Sequence, residues 1–241
     1  MARENYGIDA PTVVRNLLLG GLVCAALWAA SWFPQAAALR NLRPAFQGAG
    51  IGMIIGASWM LASSLWLKRI VRDRLLDTRR WRGDEQALDV GCGRGLVAVG
   101  IARRLGLQGR VHGLDLWQAA DLSDNTPQRA LANAAAAGVS DRVVIDTGDM
   151  RALPYPDEAF DVIASMTAIH NIPDSQGRTQ AISEMWRVTK RGGEILVFDI
   201  RHARAYAAQL RQLGAQVKMT GPIILWGPVG WRFSASKPTY P

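Results

Sequence analysis

The sequence predicts an α/β protein, a doubly wound sheet, preceded by a hairpin of two apolar helices. Three observations carry this reading. Charge is divided along the 241 residues: very few charges precede Leu67, whereas charged residues are frequent from Lys68 onward. From about Glu85, short apolar runs alternate with segments of helical pattern, which argues for parallel strands joined by helical crossovers. One of those runs passes straight into a glycine-rich turn, Gly91-Cys92-Gly93-Arg94-Gly95.

Four regions follow in order. Residues 1–11 are a cytoplasmic tail, 12–67 a transmembrane hairpin (about 13–33 and 45–67), 68–84 a basic juxtamembrane linker, and 85–241 the main domain. Leu17 to Phe33 is apolar apart from Ser31, and the run can extend back to Thr12 with Arg15 snorkelling. Ala45 to Leu67 has no charge; at 1.5 Å per residue it reaches about 34 Å, enough to cross a bilayer core. Pro34 and Pro44 bracket a short connection, so the helices are expected to be antiparallel. Gly48, Gly52 and Gly56 recur every four residues, as do Gly21, Ala25 and Ala29, which predicts one small-residue face per helix. Those faces can pair within one hairpin or between chains. Ala36 and Ala38 form a signal-cleavage pattern, but the second run would still anchor the chain.

The net charge of +8 raises nucleic acid as a partner. Its placement points to lipid instead. Lys68, Arg69, Arg72, Arg74, Arg79, Arg80 and Arg82 crowd the stretch after the second run, whereas the connection has Arg40 and Arg43. Both termini are therefore expected on the cytoplasmic side of the inner membrane, with no nucleic-acid partner. Two cysteines, Cys24 and Cys92, are too few for a disulfide framework and show no metal-ligand spacing, so no metal is expected.

The main domain reads as follows. Ala87–Val90 is a buried strand, Leu96–Leu105 a helix and Val111–Leu114 a second strand. An alanine-rich helix spans Thr126–Ala137, with Thr126 as N-cap and Pro127 at its first position. Val143–Asp146 and Phe160–Ser165 are the next strands. Gln176–Val188 is a helix stopped by Lys190-Arg191-Gly192-Gly193, and Glu194–Asp199 is a fifth strand. Ala203–Leu213 is a further helix. Gln216–Met219 and Trp231–Ala235 complete the list, joined by a Gly/Pro-rich segment.

Leu88-Asp89-Val90-Gly91-Cys92-Gly93-Arg94-Gly95 is a strand, a turn and a helix start. Glycines there let a ligand lie on the backbone. Asp115 ends the second strand about twenty residues on, where a carboxylate can hold ribose hydroxyls. The G-C-G-R-G spacing is tighter than the dinucleotide G-x-G-x-x-G, which favours an adenosyl ligand over NAD.

These residues resemble the first motif of class I S-adenosylmethionine-dependent methyltransferases. The resemblance continues through Gly113-Leu114-Asp115, Gly148-Asp149-Met150-Arg151-Ala152-Leu153-Pro154, Phe160-Asp161-Val162-Ile163, and Glu184-Met185-Trp186-Arg187-Val188 with Lys190-Arg191-Gly192-Gly193. It covers about residues 85 to 200 and is similar to the ubiquinone/menaquinone C-methyltransferases and arsenite methyltransferases. Ile169-His170-Asn171-Ile172-Pro173 and the Asp121–Ala137 stretch resemble membrane-anchored members. The resemblance implies a Rossmann-like, seven-stranded fold with S-adenosylmethionine as cofactor. It implies that Gly91, Cys92, Gly93 and Gly95 pass beneath the methionine and ribose parts, and that Asp89 reaches the methionine amino group. Asp115 takes the ribose hydroxyls, Leu116 lies against the adenine, Asp149 accepts from its amino group, and Met150 lies beside the ring. Ser165 and Met166 offer backbone near the methionine end.

Methyl transfer from a sulfonium needs alignment and a dry site more than a strong acid or base, so the lack of a catalytic triad excludes nothing. His170, after the fourth strand, is the candidate catalytic base; the plainer reading is a residue that shapes the pocket. Trp117 is read as adenine cover or hydrophobic filler, and Asp121 and Asp124 as a solvated loop in preference to contacts with substrate or cofactor. Cys92 is read as a small neighbour of the cofactor rather than a nucleophile. A lone thiol in this domain argues against arsenic as substrate. Trp226 and Trp231 line an apolar entrance or belong to the core. The expected function is a membrane-anchored methyltransferase with a small, lipid-soluble or membrane-associated acceptor. A non-catalytic cofactor-binding scaffold and an NAD enzyme are the alternatives.

Overall fold

The computed structural model describes residues 4–118, 122–223 and 229–240. Helix α1 (Pro11–Ala30) starts with proline at its first turn, where the missing N–H costs nothing. A 3₁₀ segment, Pro34–Leu42, leads into α2 (Arg43–Ala62). Arg43 ties this bend together, its Nε donating to Ser31 Oγ at 2.9 Å while its guanidinium lies 4.0 Å from the Trp32 ring centre. The two helices run antiparallel; Gly21, on the small-residue face expected of α1, is at the contact, whereas Gly48 and Gly52 of α2 are not. A Cβ at Gly48 or Gly52 would meet nothing within 4 Å. The close approach is at Gly50, where a Cβ would lie 3.1 Å from that of Cys24 and 3.5 Å from the Gly21 carbonyl. Ala57 is fully buried two turns on.

The helix does not end at the hairpin's base. A π turn at Ser63–Leu67 carries it on into α3 (Lys68–Leu76). The sequence reading made 68–84 a basic linker facing lipid. Its first nine residues are instead a helix docked on the main domain, with Val71, Leu75 and Leu76 in the core. Lys68 and Arg72 are buried with it. Arg72 forks onto Asp73 and reaches the Leu96 carbonyl, so part of the basic cluster faces protein.

The main domain is one seven-stranded sheet. Its strands are β1 (Gln86–Val90), β2 (Arg110–Asp115), β3 (Val143–Thr147), β4 (Phe160–Met166), β5 (Thr189–Asp199), β6 (Gln216–Ile223) and β7 (Gly230–Ser236), in the spatial order β3-β2-β1-β4-β5-β7-β6. The pairings from β3 to β5 are parallel, and β7 inserts antiparallel between β5 and β6. Helices α4 (Leu96–Ala102) and α5 (Pro127–Ala136) pack with α3 on one face; α6 (Ser175–Val188) and α7 (Ala203–Gln212) cover the other. Alternate strand residues feed the two cores: Ala87, Val162 and Leu196 on the first face, Leu88, Ile163 and Ile195 on the second. The strand after α6 begins earlier than expected, at Thr189, because Gly192 adopts a φ of +76° and the chain stays in the sheet. Thr126 does cap α5, its side chain accepting from the Arg129 N–H.

Candidate functional site

The order of the sheet sets the site. β1 is flanked by β2 on one side and β4 on the other, so the connections diverge there and leave a crevice at the strands' carboxyl ends. A cavity of about 220 Å³ occupies it. Its floor is the turn after β1. Gly91, Gly93 and Gly95 have φ of +74°, +52° and +78°, a region that side chains disfavour. Gly91 and Cys92 donate their N–H groups to the Leu114 carbonyl at 2.8 and 3.0 Å, which fixes the turn against β2. A Cβ at Gly91 would stand 2.2 Å from that of Ala168, so the turn and the chain after β4 approach as backbones.

Asp115 stands at the end of β2 on the cavity wall. One of its oxygens accepts the Gly93 N–H at 2.8 Å and the other the Trp117 N–H at 2.7 Å, with Asn125 Nδ2 at 3.3 Å. Oδ2, with the Gly93 N–H as its one donor among the described residues, keeps a further lone pair for a ligand hydroxyl. Leu116, Asp149, Met150 and Met166 also line the cavity, as do Cys92, Gly91 and Gly93. Asp149 is gripped by its neighbour: Arg151 donates from its backbone and its guanidinium, which holds the carboxyl below the usual range. Burial pushes the Cys92 thiol well up, so it stays protonated and packs against Gly113.

Other sequence candidates stand behind the wall. Asp89 is buried beneath the turn; one oxygen accepts the Ala98 N–H at 2.8 Å and Oδ1 has no partner. Burial pushes its pKa up to about 8. Ser165 turns its hydroxyl onto the Val90 carbonyl, and Gly95 packs against Ala130. His170 sits between the lining residues Ala168 and Asn171, and its Nδ1 lies 2.6 Å from Asp199 Oδ1. The fully buried Asp199 accepts the His170 backbone N–H at 3.2 Å, so the end of β5 holds the main chain at His170. Trp117 points its indole N–H at Thr147 Oγ1, 2.8 Å away. Asp124 is exposed and paired with Arg129. Trp231 packs beneath Arg204, whose guanidinium is 4.2 Å from its ring centre. Asp121 and Trp226 lie outside the described residues.

Sequence reasoning missed one wall altogether. Tyr6, Asp9 and Lys68 line the same cavity, together with Arg94 and Asn125. Residues 4–9, ahead of α1, lie across the main domain as a strap. Ile8 exchanges hydrogen bonds with Ser123, and Asn133 Nδ2 joins the Asn5 and Arg94 carbonyls at 2.9 and 2.8 Å. Lys68 Nζ donates to the Tyr6 and Gly7 carbonyls, both at 2.9 Å, with Asp9 Oδ2 at 3.4 Å. No local pattern marks such a tail; only the tertiary contacts do.

A glycine cradle with a carboxylate at the end of β2 suits a ligand that carries a ribose, and residues 87–193 match the family model described as "Methyltransferase domain". The chain carries a class I S-adenosylmethionine-dependent methyltransferase domain. Among curated relatives, it is 34% identical over 127 residues to 27-O-demethylrifamycin SV methyltransferase of Amycolatopsis mediterranei (strain S699), covering 53% of this chain and 43% of that one. It is 29% identical over 126 residues to the ubiquinone/menaquinone biosynthesis C-methyltransferase UbiE of Geobacter sulfurreducens (strain ATCC 51573 / DSM 12127 / PCA), covering 52% and 46%. The chain thus matches about half the length, or less, of these relatives. A solved S-adenosylmethionine-dependent methyltransferase from Aquifex aeolicus aligns with a TM-score of 0.55 at 17% identity, over 68% of this chain and 88% of that one; at this identity it shows the fold. The cofactor is S-adenosylmethionine. The residues fit it: Gly91 has no room for a side chain, and two buried oxygens, Asp89 Oδ1 and Asn125 Oδ1, have no partner among the described residues.

Proposed function

We propose that this protein is a membrane-anchored methyltransferase acting on a small, lipid-soluble or membrane-associated acceptor, with its catalytic domain on the cytosolic side. The observation that carries the link is the cavity wall. Asp9 precedes α1 by two residues and Lys68 follows the apolar part of the α2 helix, so both ends of the hairpin touch the methyltransferase pocket.

The anchor reading rests on length and surface. α1 and α2 have 20 residues each, which is about 30 Å per helix. Their outward faces present Leu19, Leu22, Val23, Ile51 and Ile55, each more than half exposed. A contiguous apolar surface of this kind is rare on a soluble monomer. Trp28 and Trp32 stand near one end and Trp66 near the other, as interfacial tryptophans do.

The bound cofactor supplies an electrophilic methyl group on a sulfonium. The residues of this chain orient it: Asp115 and the glycine turn fix the ribose side, Asp149 and Met150 the base. Met166, Ala168, Ile172 and Pro173 line an apolar stretch of the same cavity and would keep water from a bound sulfonium. Positive charge disperses during transfer, so alignment and exclusion of water matter most. Where the acceptor must lose a proton, His170 is our candidate to take it, with the Asp199 carboxylate 2.6 Å from its Nδ1 to offset the charge it would gain. The relatives named above methylate a rifamycin precursor and act in quinone biosynthesis, which supports a small acceptor.

The test is transfer of labelled methyl from S-adenosylmethionine in membranes containing the full chain, with the Asp115→Ala variant as control. The reading expects label in the lipid-extractable fraction with the native chain and not with the variant. Cofactor binding without label in any fraction would instead favour a non-catalytic scaffold.

A further inference from the structure

Among the described residues, three cations line the methyltransferase cavity, and two are satisfied by the protein. Arg151 is paired with Asp149 at the base end. Lys68 spends its three protons on the Tyr6 and Gly7 carbonyls and on Asp9. Arg94 differs. It is 4% exposed, and its Nη1 donates to the Ser123 carbonyl at 3.1 Å. Its Nε is buried without a partner, and among the described residues it forms no ion pair. Asp124, the acid whose charge reaches it, is exposed and engaged by Arg129.

A guanidinium is always charged, and a buried charge without a counter-ion is costly. The missing anion is therefore expected from the ligand. At neutral pH S-adenosylmethionine has one anionic group, the carboxylate of its amino-acid part; the sulfonium and the ammonium are cationic and the adenosine is neutral. Arg94 lies within the turn itself, between Gly93 and Gly95. Asn125, which shares this wall, leaves Oδ1 free as an acceptor. A donor and an acceptor together suit a zwitterion.

The strap builds the outer side of this corner. Gly7 has a φ of +73°, and a Cβ there would lie 3.0 Å from Arg94 Cδ, so a glycine lets the strap rest on the arginine stem. Asn133 fastens Asn5 to the Arg94 carbonyl, and Lys68 holds the next two strap carbonyls. We propose that Arg94 is the seat of the cofactor carboxylate and that the strap, pinned by Lys68, is the wall that encloses it. Cofactor binding is then tied to the N-terminal segment and, through Lys68, to the helix that enters the hairpin.

The inference rests on S-adenosylmethionine as ligand, which binding of 5′-methylthioadenosine tests separately because that molecule lacks the amino-acid part. The decisive experiment is calorimetric titration of the full-length protein in detergent with S-adenosylmethionine and with its decarboxylated form. The native chain is expected to prefer the carboxylated ligand about tenfold or more. Arg94→Gln should bring the two within about threefold while leaving methylthioadenosine affinity within about twofold. Arg94→Lys, which keeps the charge, should retain part of the preference and serves if the glutamine variant does not fold. Equal affinity of the native chain for both forms overturns the proposal. So does an Arg94→Gln variant that binds methylthioadenosine normally and still discriminates, or a loss of affinity equal for all three ligands.

Discussion

Gly91 shows how far a single residue can be read. Its spacing within the turn is visible in the sequence, and its reason is in the fold: the chain after β4 fills the space a side chain would need. Gly91→Ala should destabilise the protein by roughly 1–3 kcal/mol and abolish cofactor binding, as read by denaturant titration and calorimetry. Asp89 gives a pH test. Burial raises its pKa to about 8, far above the ordinary value for an aspartate. Between roughly pH 4 and pH 8 the folded chain holds a proton that the unfolded chain has released, so its contribution to stability falls as pH rises through that window. Melting temperature should therefore fall more steeply from pH 6 to pH 9 in the native protein than in Asp89→Asn. Parallel pH profiles would refute the assignment. Glycines 91 and 93, with Asp115, were legible because a short motif in one local unit builds them. Arg94 stood in the same motif, yet its lack of a counter-ion among the described residues emerges only once the surrounding charges are placed.

The strands of the main domain were legible from apolar runs because the central strands are buried on both faces, and buried strands need no other signal. The helix α3 was not, since Lys68, Arg69, Arg72 and Arg74 mask a stripe of Val71, Leu75 and Leu76 that docks on α4. Charge count suggested a linker; the spacing of the apolar residues made a helix. The α2 side of the hairpin contact was misread for a related reason, although Gly21 of α1 lies where its spacing put it. A four-residue glycine rhythm names one helix face, but Gly50 and Ala57, seven apart, mark the face that meets α1. The strap was invisible, since its partners lie 55 to 128 residues away. Lys68→Met tests it at this scale. Two strap carbonyls lose their donor, which should cost about 1–3 kcal/mol. Residues 4–9 should become accessible to protease, and S-adenosylmethionine affinity should drop several-fold. Unchanged protection of the tail would show that Lys68 does not hold it.

At the scale of the molecule, one helix passes from the apolar hairpin through a π turn into the core beside the cofactor site, and the tail before the hairpin closes that site from the other side. π turns interrupt helices where a change of facing is required; here Ser64, within the turn, bonds Asp9 of the strap at 2.9 Å. The apolar hairpin is therefore flanked on both sides by residues of the pocket wall, Asp9 and Lys68. The account's central claim is that the acceptor is met in the bilayer that holds the hairpin. The most direct measurement uses lipid vesicles in which the full-length protein and a membrane lipid extract are placed either together or in separate populations, with labelled S-adenosylmethionine outside. The account predicts methyl label in the lipid phase when the two share a bilayer, and little when they are apart. Equal labelling in both arrangements, or label confined to water-soluble products, would contradict it.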